Sequence, residues 1–232
     1  MKIISWNIRQ GGGTRFEAIS NALIHENCDV IVLSEFQNNA AGQWIRIKLL
    51  MNGYLFQSPS SEDKEKNGVL IATRVPCSFI LDTHTHDFPE SVLICCLNNY
   101  FIVGVYPPHK KKHARLEYII EKLKSSPYPS IITGDFNTGF NYIDQEGDSF
   151  WYQEQLRSLN TLDVLDAWRI IHGNKKEYSW YSHQQNGYRY DHTWISKQLV
   201  PLIKECYYLH EWRKQGLSDH SPMMLHLSRP TN

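Results

Sequence analysis

No hydrophobic run in this sequence approaches the ~20 residues that a membrane-spanning helix needs. The first residues, MKIISWNIRQ, carry a short apolar patch but no signal-peptide cleavage pattern. An excess of charge of one sign is missing too, because 24 basic residues balance 24 acidic ones. That balance excludes a passive, charge-driven coat on nucleic acid or membrane, and leaves open a protein that grips a few phosphates locally. The five cysteines, Cys28, Cys77, Cys95, Cys96 and Cys206, are odd in number and lack C-x-x-C spacing, so neither a disulfide framework nor a thiolate zinc site is indicated. Four of them stand in apolar surroundings, where a reduced, buried thiol is the expectation. There is no P-loop pattern and no G-x-S-x-G elbow, which argues against nucleotide hydrolysis by that route and against a serine hydrolase. His84 and His86 have ligand-like spacing, but with no second pair at a suitable distance they read as loop histidines. The expectation is a reduced, cytoplasmic protein with no membrane contact, acting as a monomer.

What is present is core material. With 232 residues, 41% hydrophobic and 12% aromatic, the chain can build one sizeable core. It shows no repeat, low-complexity tract or linker, and reads as a single domain over residues 1–232. Lys2 to Ile8 reads as a strand stopped by Gln10-Gly11-Gly12-Gly13, after which Thr14 can cap a helix carrying Phe16, Ile19, Leu23 and Ile24 on one face. Asp29 to Ser34 is a continuous apolar run suited to a central strand, and Trp44 to Met51 is helical. Short β-rich runs fill the stretch from Tyr54 to Val105, interrupted by a polar, mobile loop over Ser58 to Asn67. Helical spacing returns at Ala114 to Lys124 and Phe150 to Leu159. Strands are expected at Ser130–Thr133, Tyr188–Ile195, Leu202–Leu209 and Ser221–Leu227. Two sheets packed together with helices outside account for this mixture.

The stretch SIITGDFNT, residues 130–138, combines a buried strand, a glycine for a turn, and then Asp135 and Asn137. By itself it also describes an ordinary turn. Polar groups recur, however, where other strands finish: Asn7, Glu35, Asp191, and Asp219 with His220. Each has a plain explanation. Asn7 can cap the glycine turn, Glu35 can be solvated, Asp191 can pair with Arg189 at the surface, and Asp219-His220 can cap a turn. If the strand ends converge, the same residues form an acidic, amide-lined pocket with one imidazole. Carboxylate oxygens suit a hard cation such as Mg²⁺, amides donate to phosphate oxygens, and a His beside an Asp handles a proton near neutral pH. Those are the parts of metal-assisted phosphodiester cleavage.

The ordered set SWN (5–7), Glu35, GVLIATR (68–74), VYPP (105–108), GDFN (134–137), RYDHTWIS (189–196) and LSDHSPM (217–223) resembles the endonuclease/exonuclease/phosphatase superfamily over nearly the whole chain. The resemblance implies a four-layer αββα sandwich, with two mixed, mainly antiparallel sheets face to face, and Mg²⁺-dependent phosphoester hydrolysis, with Mn²⁺ as a substitute. Residues 164–196 are similar to the exonuclease III and apurinic/apyrimidinic endonuclease branch. That likeness implies Glu35 as a metal ligand with Asn7 beside the metal and phosphate, and Asp219 as a further candidate ligand that also pairs with His220. Tyr106 falls at the branch's active-site tyrosine, Asp135 aligns the attacking water, Asn137 orients that carboxylate or the phosphate, and Asp191 acts through the hydrogen-bond network at the strand end. Asp166 supports a loop. Two departures stand out: Ile8-Arg9-Gln10 after Asn7 is more like the deoxyribonuclease I and phosphatase branches, and Phe36-Gln37 replaces the usual Lys after Glu35.

The implied partner is DNA, held through its phosphate backbone at an abasic site or a 3′ end. Candidate contacts are Arg9, Arg74, His109, Lys110, Lys111 and Arg189, with Trp180 and Tyr188 as walls for a base-less sugar; a solvated basic run and ordinary core packing are the competing explanations. Besides a repair nuclease, the residues allow a less selective deoxyribonuclease-like enzyme, a phosphatase on a small phosphoester or phosphoinositide, and an inactive binding module.

Overall fold

The computed structural model describes residues 1–81, 89–97, 100–107, 112–124 and 128–228. Its strands form two mixed six-stranded sheets. The first contains β1 (Lys2–Asn7), β2 (Val30–Phe36), β3 (Phe56–Pro59), β4 (Gly68–Thr73), β13 (Ile203–Tyr208) and β14 (Met223–Leu227), in the order β13-β14-β1-β2-β4-β3. The second contains β5 (Ser78–Leu81), β6 (Val92–Leu97), β7 (Tyr100–Val105), β8 (Ser130–Asp135), β9 (Val164–Asp166) and β12 (Asp191–Ser196), in the order β5-β6-β7-β8-β12-β9. A short hairpin of β10 (Trp180–Tyr181) and β11 (Gly187–Tyr188) stands apart. In each sheet the central pair is parallel, β1 with β2 and β7 with β8, and the other pairings are antiparallel.

The continuous apolar runs have a simple cause, since both faces of the central strands are buried. In β2, Val30 and Val32 pack between the sheets with Ile3, Val69, Ile71, Ile102 and Ile131. Their alternates Ile31 and Leu33 pack outward against Ile19 and Leu23 of α1 (Phe16–Glu26) and Ile45 and Leu49 of α2 (Ala40–Met51). On the far side, Val103, Ile132 and Trp194 meet Leu116 and Ile119 of α3 (Lys112–Lys124) and Leu156 and Leu159 of α4 (Gln153–Asn160). Helix, sheet, sheet, helix is the four-layer order that the sequence implied. Two shorter helices, α5 (Ala167–His172) and α6 (His210–Lys214), complete the described α-helices.

Several local expectations need correction. Thr14 does not cap a helix; it lies in a 3-10 turn over Gln10–Arg15 whose three glycines all have positive φ, and α1 starts at Phe16. The helix expected from Phe150 starts at Gln153. The polar loop before β4 is pinned, with Ser60 N–H donating to Val69 O at 2.7 Å and the Asn38 amide to Glu62 at 2.7 Å.

Arg189 is not a surface cation. It is fully buried, pairing with Asp144 at 2.6 Å and with Asp166 at 2.5 Å. Asp166 also caps α5, accepting from Trp168 N–H at 3.0 Å and Arg169 N–H at 3.1 Å, and Arg169 adds a second guanidinium to Asp144. Burial raises both carboxyls, but Arg189 outweighs it and holds them below the ordinary carboxylate range. A buried guanidinium shared by two carboxylates is costly to break from one side. Arg189→Met should therefore cost about 3–5 kcal/mol, read by urea unfolding; a loss within experimental error would show that the network carries no stability. Because both folded-state values are depressed, the network stabilises fully above the unfolded carboxylate value of about 3.9 and is lost as pH falls through the lower folded values. Wild-type stability should drop steeply below about pH 4, and the Arg189→Met profile should be flatter there.

Candidate active site

The C-terminal ends of the parallel pairs β1/β2 and β7/β8 lie at one edge, and hydrogen bonds cross between the sheets there. Ser34 Oγ, at the end of β2, donates to Val105 O at 3.3 Å and accepts from Asp135 N–H at 3.3 Å. Ligands collect outside such carboxyl ends because the chain diverges there and leaves side chains pointing into a crevice.

Asn7 closes β1, and its Nδ2 donates to Glu35 Oε1 at 3.0 Å and to Asp135 Oδ2 at 2.8 Å. Its Oδ1 accepts from Arg9 N–H at 2.8 Å. Glu35 sits on an irregularity in the β2–β4 register with φ +52°, a bulge that re-aims a side chain at the cost of regular pairing. Its second oxygen takes Gln10 N–H at 2.9 Å. Tyr106 lies just past β7, beside Glu35; burial, then Glu35 and Asp135, push its phenol far above the ordinary value.

Asp135 stands directly opposite Asp191 in the β8–β12 register. Its Oδ1 accepts the Asn137 N–H at 2.8 Å. The Asn137 side chain, expected to hold Asp135, instead donates to Pro107 O at 3.2 Å, and it is the Asn137 backbone that holds the carboxylate. Gly134 makes no turn. The strand runs through it at φ +152°, and a Cβ there would come within 2.0 Å of Val105 O, so only glycine lets β8 lie this close to β7.

His220 is bonded by Asp191, Nδ1 to Oδ2 at 2.8 Å, rather than by Asp219. Asp219 instead accepts from Trp180 Nε1 at 3.3 Å and lies 3.8 Å from the Arg9 guanidinium. Burial lowers the His220 imidazole, but Asp191 and Asp135 more than offset it and raise it well above its ordinary value. That direction favours the protonated ring. Asp135 is raised, first by burial and then by the facing Asp191, with His220 and the Asn137 and Asn7 hydrogen bonds in opposition.

Ligand atoms of Asp135, Asp191 and His220 lie within 4.8 Å of one another, and Asp191 Oδ1 is buried with no partner. The His220 ring, already bonded through Nδ1, has only Nε2 left for a metal, and the other donors the sequence offered, Glu35, Asp219 and the Asn7 amide, present oxygens. An all-oxygen set suits a hard divalent ion.

The remaining expected residues divide. Arg9 is exposed at the rim, and Trp180 is half-buried with its ring 6.4 Å from His220. Tyr188 is buried, stacked on Tyr190 at 5.3 Å and accepting Asp148 N–H at 2.8 Å, so it supports the wall from behind. Arg74 lies at the other end of the first sheet, past Thr73, which pairs with Val30 at the start of β2; it is bonded to Asn27 and lies over the Tyr54 ring at 4.3 Å. His109, Lys110 and Lys111 fall outside the described residues. Three supports had no signal in the sequence: Ser179 Oγ accepts from Asp191 N–H at 3.2 Å, Tyr208 OH donates to Asp191 O at 2.6 Å, and Ser218 OH donates to Asn7 O at 2.6 Å. Each acts through tertiary contact, which spacing along the chain does not show.

Fold and site together define a phosphoester hydrolase. The chain belongs to the endonuclease/exonuclease/phosphatase family, which it matches over residues 4–220; the family is metal-dependent. A DNA-(apurinic or apyrimidinic site) endonuclease of Dictyostelium discoideum is 26% identical, aligned over 96% of this chain and 69% of the relative. Among solved structures, an AP endonuclease from Archaeoglobus fulgidus superposes with a TM-score of 0.84 at 20% identity, covering 99% of this chain and 100% of that one. The 3′ phosphatase NExo from Neisseria, bound to product DNA hairpin, gives the same TM-score, identity and coverage. No described helix is long and apolar enough to cross a membrane.

The Asp191–His220 pair makes a direct prediction. Asp191→Asn removes the nearest anion while keeping the shape, so the His220 imidazole should titrate at a markedly lower pH than in the wild type, as followed by NMR of the ring Cε1–H. An unchanged titration would show that Asp191 does not hold the proton on His220.

Proposed function

We propose that this chain hydrolyses DNA phosphodiesters with Mg²⁺, or Mn²⁺ in its place, incising at abasic sites or trimming 3′ ends. The observation that carries this reading is one edge where Asn7 ties Glu35 to Asp135 while Asp191 holds the His220 ring through Nδ1. A divalent cation held by Glu35, with Asp219 and Asn7 beside it, would offset the negative charge that builds on the phosphate oxygens. Asp135, once ionised, takes a proton from the attacking water and aligns it, its orientation fixed by the Asn7 amide and the Asn137 N–H. The raised proton affinity from burial makes it a better acceptor at neutral pH than an exposed carboxylate. As water oxygen bonds to phosphorus, the bond to the 3′-oxygen breaks in line. The imidazolium of His220 donates to a non-bridging oxygen, where charge is greatest in the transition state. Tyr106, whose phenol keeps its proton, donates to the departing oxygen.

The half-buried ring of Trp180, beside His220, supports a pocket that takes a sugar without its base. Arg9 at the rim favours a second reading, a less selective nuclease that grips phosphates alone. Incubation with Mg²⁺ and labelled duplexes with or without one abasic-site analogue separates them. A single incision at the analogue supports the first reading, degradation of intact duplex supports the second, and phosphate release from a phosphoinositide without DNA cleavage overturns both. Asp135→Ala and His220→Ala should each lower kcat by at least about 100-fold with the fold intact by circular dichroism. Near-wild-type turnover in either removes that residue from the chemistry. Glu35→Ala should raise the Mg²⁺ concentration for half-maximal rate, and an unchanged titration would exclude it as a ligand.

The pH profile follows from the two shifts. Asp135 works ionised and its proton is held more tightly than usual, so kcat/KM should rise with pH through a limb lying above the ordinary carboxylate range. It should fall only where His220 loses its proton, above the ordinary imidazole value. In Asp191→Asn the alkaline limb should move to lower pH; a profile that stays fixed would separate His220 from the rate.

A further inference from the structure

Among the described residues, two of the most exposed large hydrophobic side chains are aromatic and belong to the segment between β8 and α4: Tyr142 is 82% exposed and Trp151 is 85% exposed. Lone apolar side chains on a surface need no explanation, but these two share a braced scaffold. Asn141 and Phe150, their immediate neighbours, exchange two hydrogen bonds, Nδ2 to Phe150 O at 3.1 Å and Phe150 N–H to Oδ1 at 2.7 Å. Phe140 and Asp144 are tied in the same way, at 2.9 Å each, and Asp144 is anchored on buried Arg189. Tyr142, at the apex of that turn, has φ +73°. A bulky residue rarely adopts that conformation, and the surroundings that fix it hold its ring in the open instead of folding it away.

The scaffold is continuous with the active site. Glu146 N–H donates to Gly187 O at 3.0 Å, and the Phe150 ring packs edge-on to Tyr190 at 5.8 Å. Tyr190 in turn lies 6.4 Å from the His220 ring. The two exposed rings therefore belong to a segment that packs against the wall beside His220, and they carry no charge of their own.

We propose that Tyr142 and Trp151 form a stacking platform for unpaired nucleobases of the DNA strand next to the scissile phosphodiester. The proposal rests on the nuclease reading above and sharpens it. Every base offers an apolar π-face, so aromatic rings hold single strands without regard to sequence. An intact duplex hides those faces, so the platform selects strands that are frayed or single-stranded beside the cleaved bond. Phosphate-gripping cations contribute a salt-dependent term to affinity, and stacking rings contribute one that is largely independent of salt.

The test is the binding of a fluorescein-labelled oligo-dT to the full chain in EDTA, read by anisotropy over a range of salt. Trp151→Ala and Tyr142→Ala should each weaken binding about tenfold. Trp151→Phe should recover most of that loss, the slope of log K against log salt should match wild type, and melting temperatures should not move. Unchanged affinity in both alanine variants would overturn the platform, as would a flattened salt slope. Self-association abolished by Trp151→Ala with oligo-dT affinity intact would also overturn it, and would assign the rings to a protein contact. Because the assay needs no turnover, it is separate from the nuclease reading. A wild type that binds oligo-dT through Trp151 but cleaves no DNA supports the platform and sinks the nuclease. A wild type that incises abasic duplex while the alanine variants bind normally sinks only the platform.

Discussion

One amide holds the two sheets in register at the site. Asn7 has two N–H groups on Nδ2, and it gives one to Glu35 on its own sheet and one to Asp135 on the other. Without that donor pair, the buried Asp135 carboxylate would lose a partner that water cannot replace, and Glu35 would lose its tie to the other layer. The same residue returns an acceptor to Arg9 N–H, so the glycine-rich turn that follows β1 is anchored to the same point. Asn is suited to this position because it donates twice and accepts at once; aspartate would add a third negative charge and remove both donors.

Behind this contact stands a second arrangement of opposite sign. Asp135 and Asp191 are paired across antiparallel strands, a placement that is repulsive for like charges. His220 relieves it by bonding Asp191 Oδ2 through Nδ1, and Ser179 and Tyr208 fix the Asp191 backbone by hydrogen bonds to its N–H and its carbonyl. The buried Arg189 network supports the next layer, tying the segment after β8 to the ends of β9 and β12. Stability and chemistry are thus kept on separate ion pairs. Arg189 neutralises carboxylates that never meet solvent, which frees Asp135 and Asp191 to carry a proton-holding histidine.

The layers were legible because burial on both faces writes itself as unbroken apolar runs, as at Val30 to Leu33 and Ile131 to Ile132. The polar residues were legible one by one because each follows or opens such a run. Their pairing was not. Asp219 is adjacent to His220 in sequence, yet backbone geometry points the two side chains apart and Asp191, 29 residues away, makes the bond. Arg189 looked like a surface partner for Asp191 because alternation along a strand says only that neighbours face opposite sides. The side that is buried here, against Asp144 and Asp166, depends on a loop and a helix cap with no local signature. Arg74 was misplaced for a related reason, since it follows β4 at the end opposite to where Gly68 meets Phe36.

The two principal carboxylates share a chemistry and differ in surroundings, and that difference assigns their work. Glu35 sits on a left-handed bulge, half-exposed, with one oxygen turned to a backbone N–H and the other to Asn7. Such a group can meet a hydrated cation without giving up its charge. Asp135 is buried on a regular strand against a like charge, which raises its affinity for a proton. Strand geometry therefore sets the two surroundings before any ligand arrives: the bulge lifts one carboxylate toward solvent, as the proposed metal ligand requires, and the glycine at 134 keeps the other pressed between layers, as the proposed base requires. Any substitution that straightens the bulge at Glu35 or pushes β8 away from β7 at Gly134 would exchange those environments and blur the two roles, even with every polar side chain still in place.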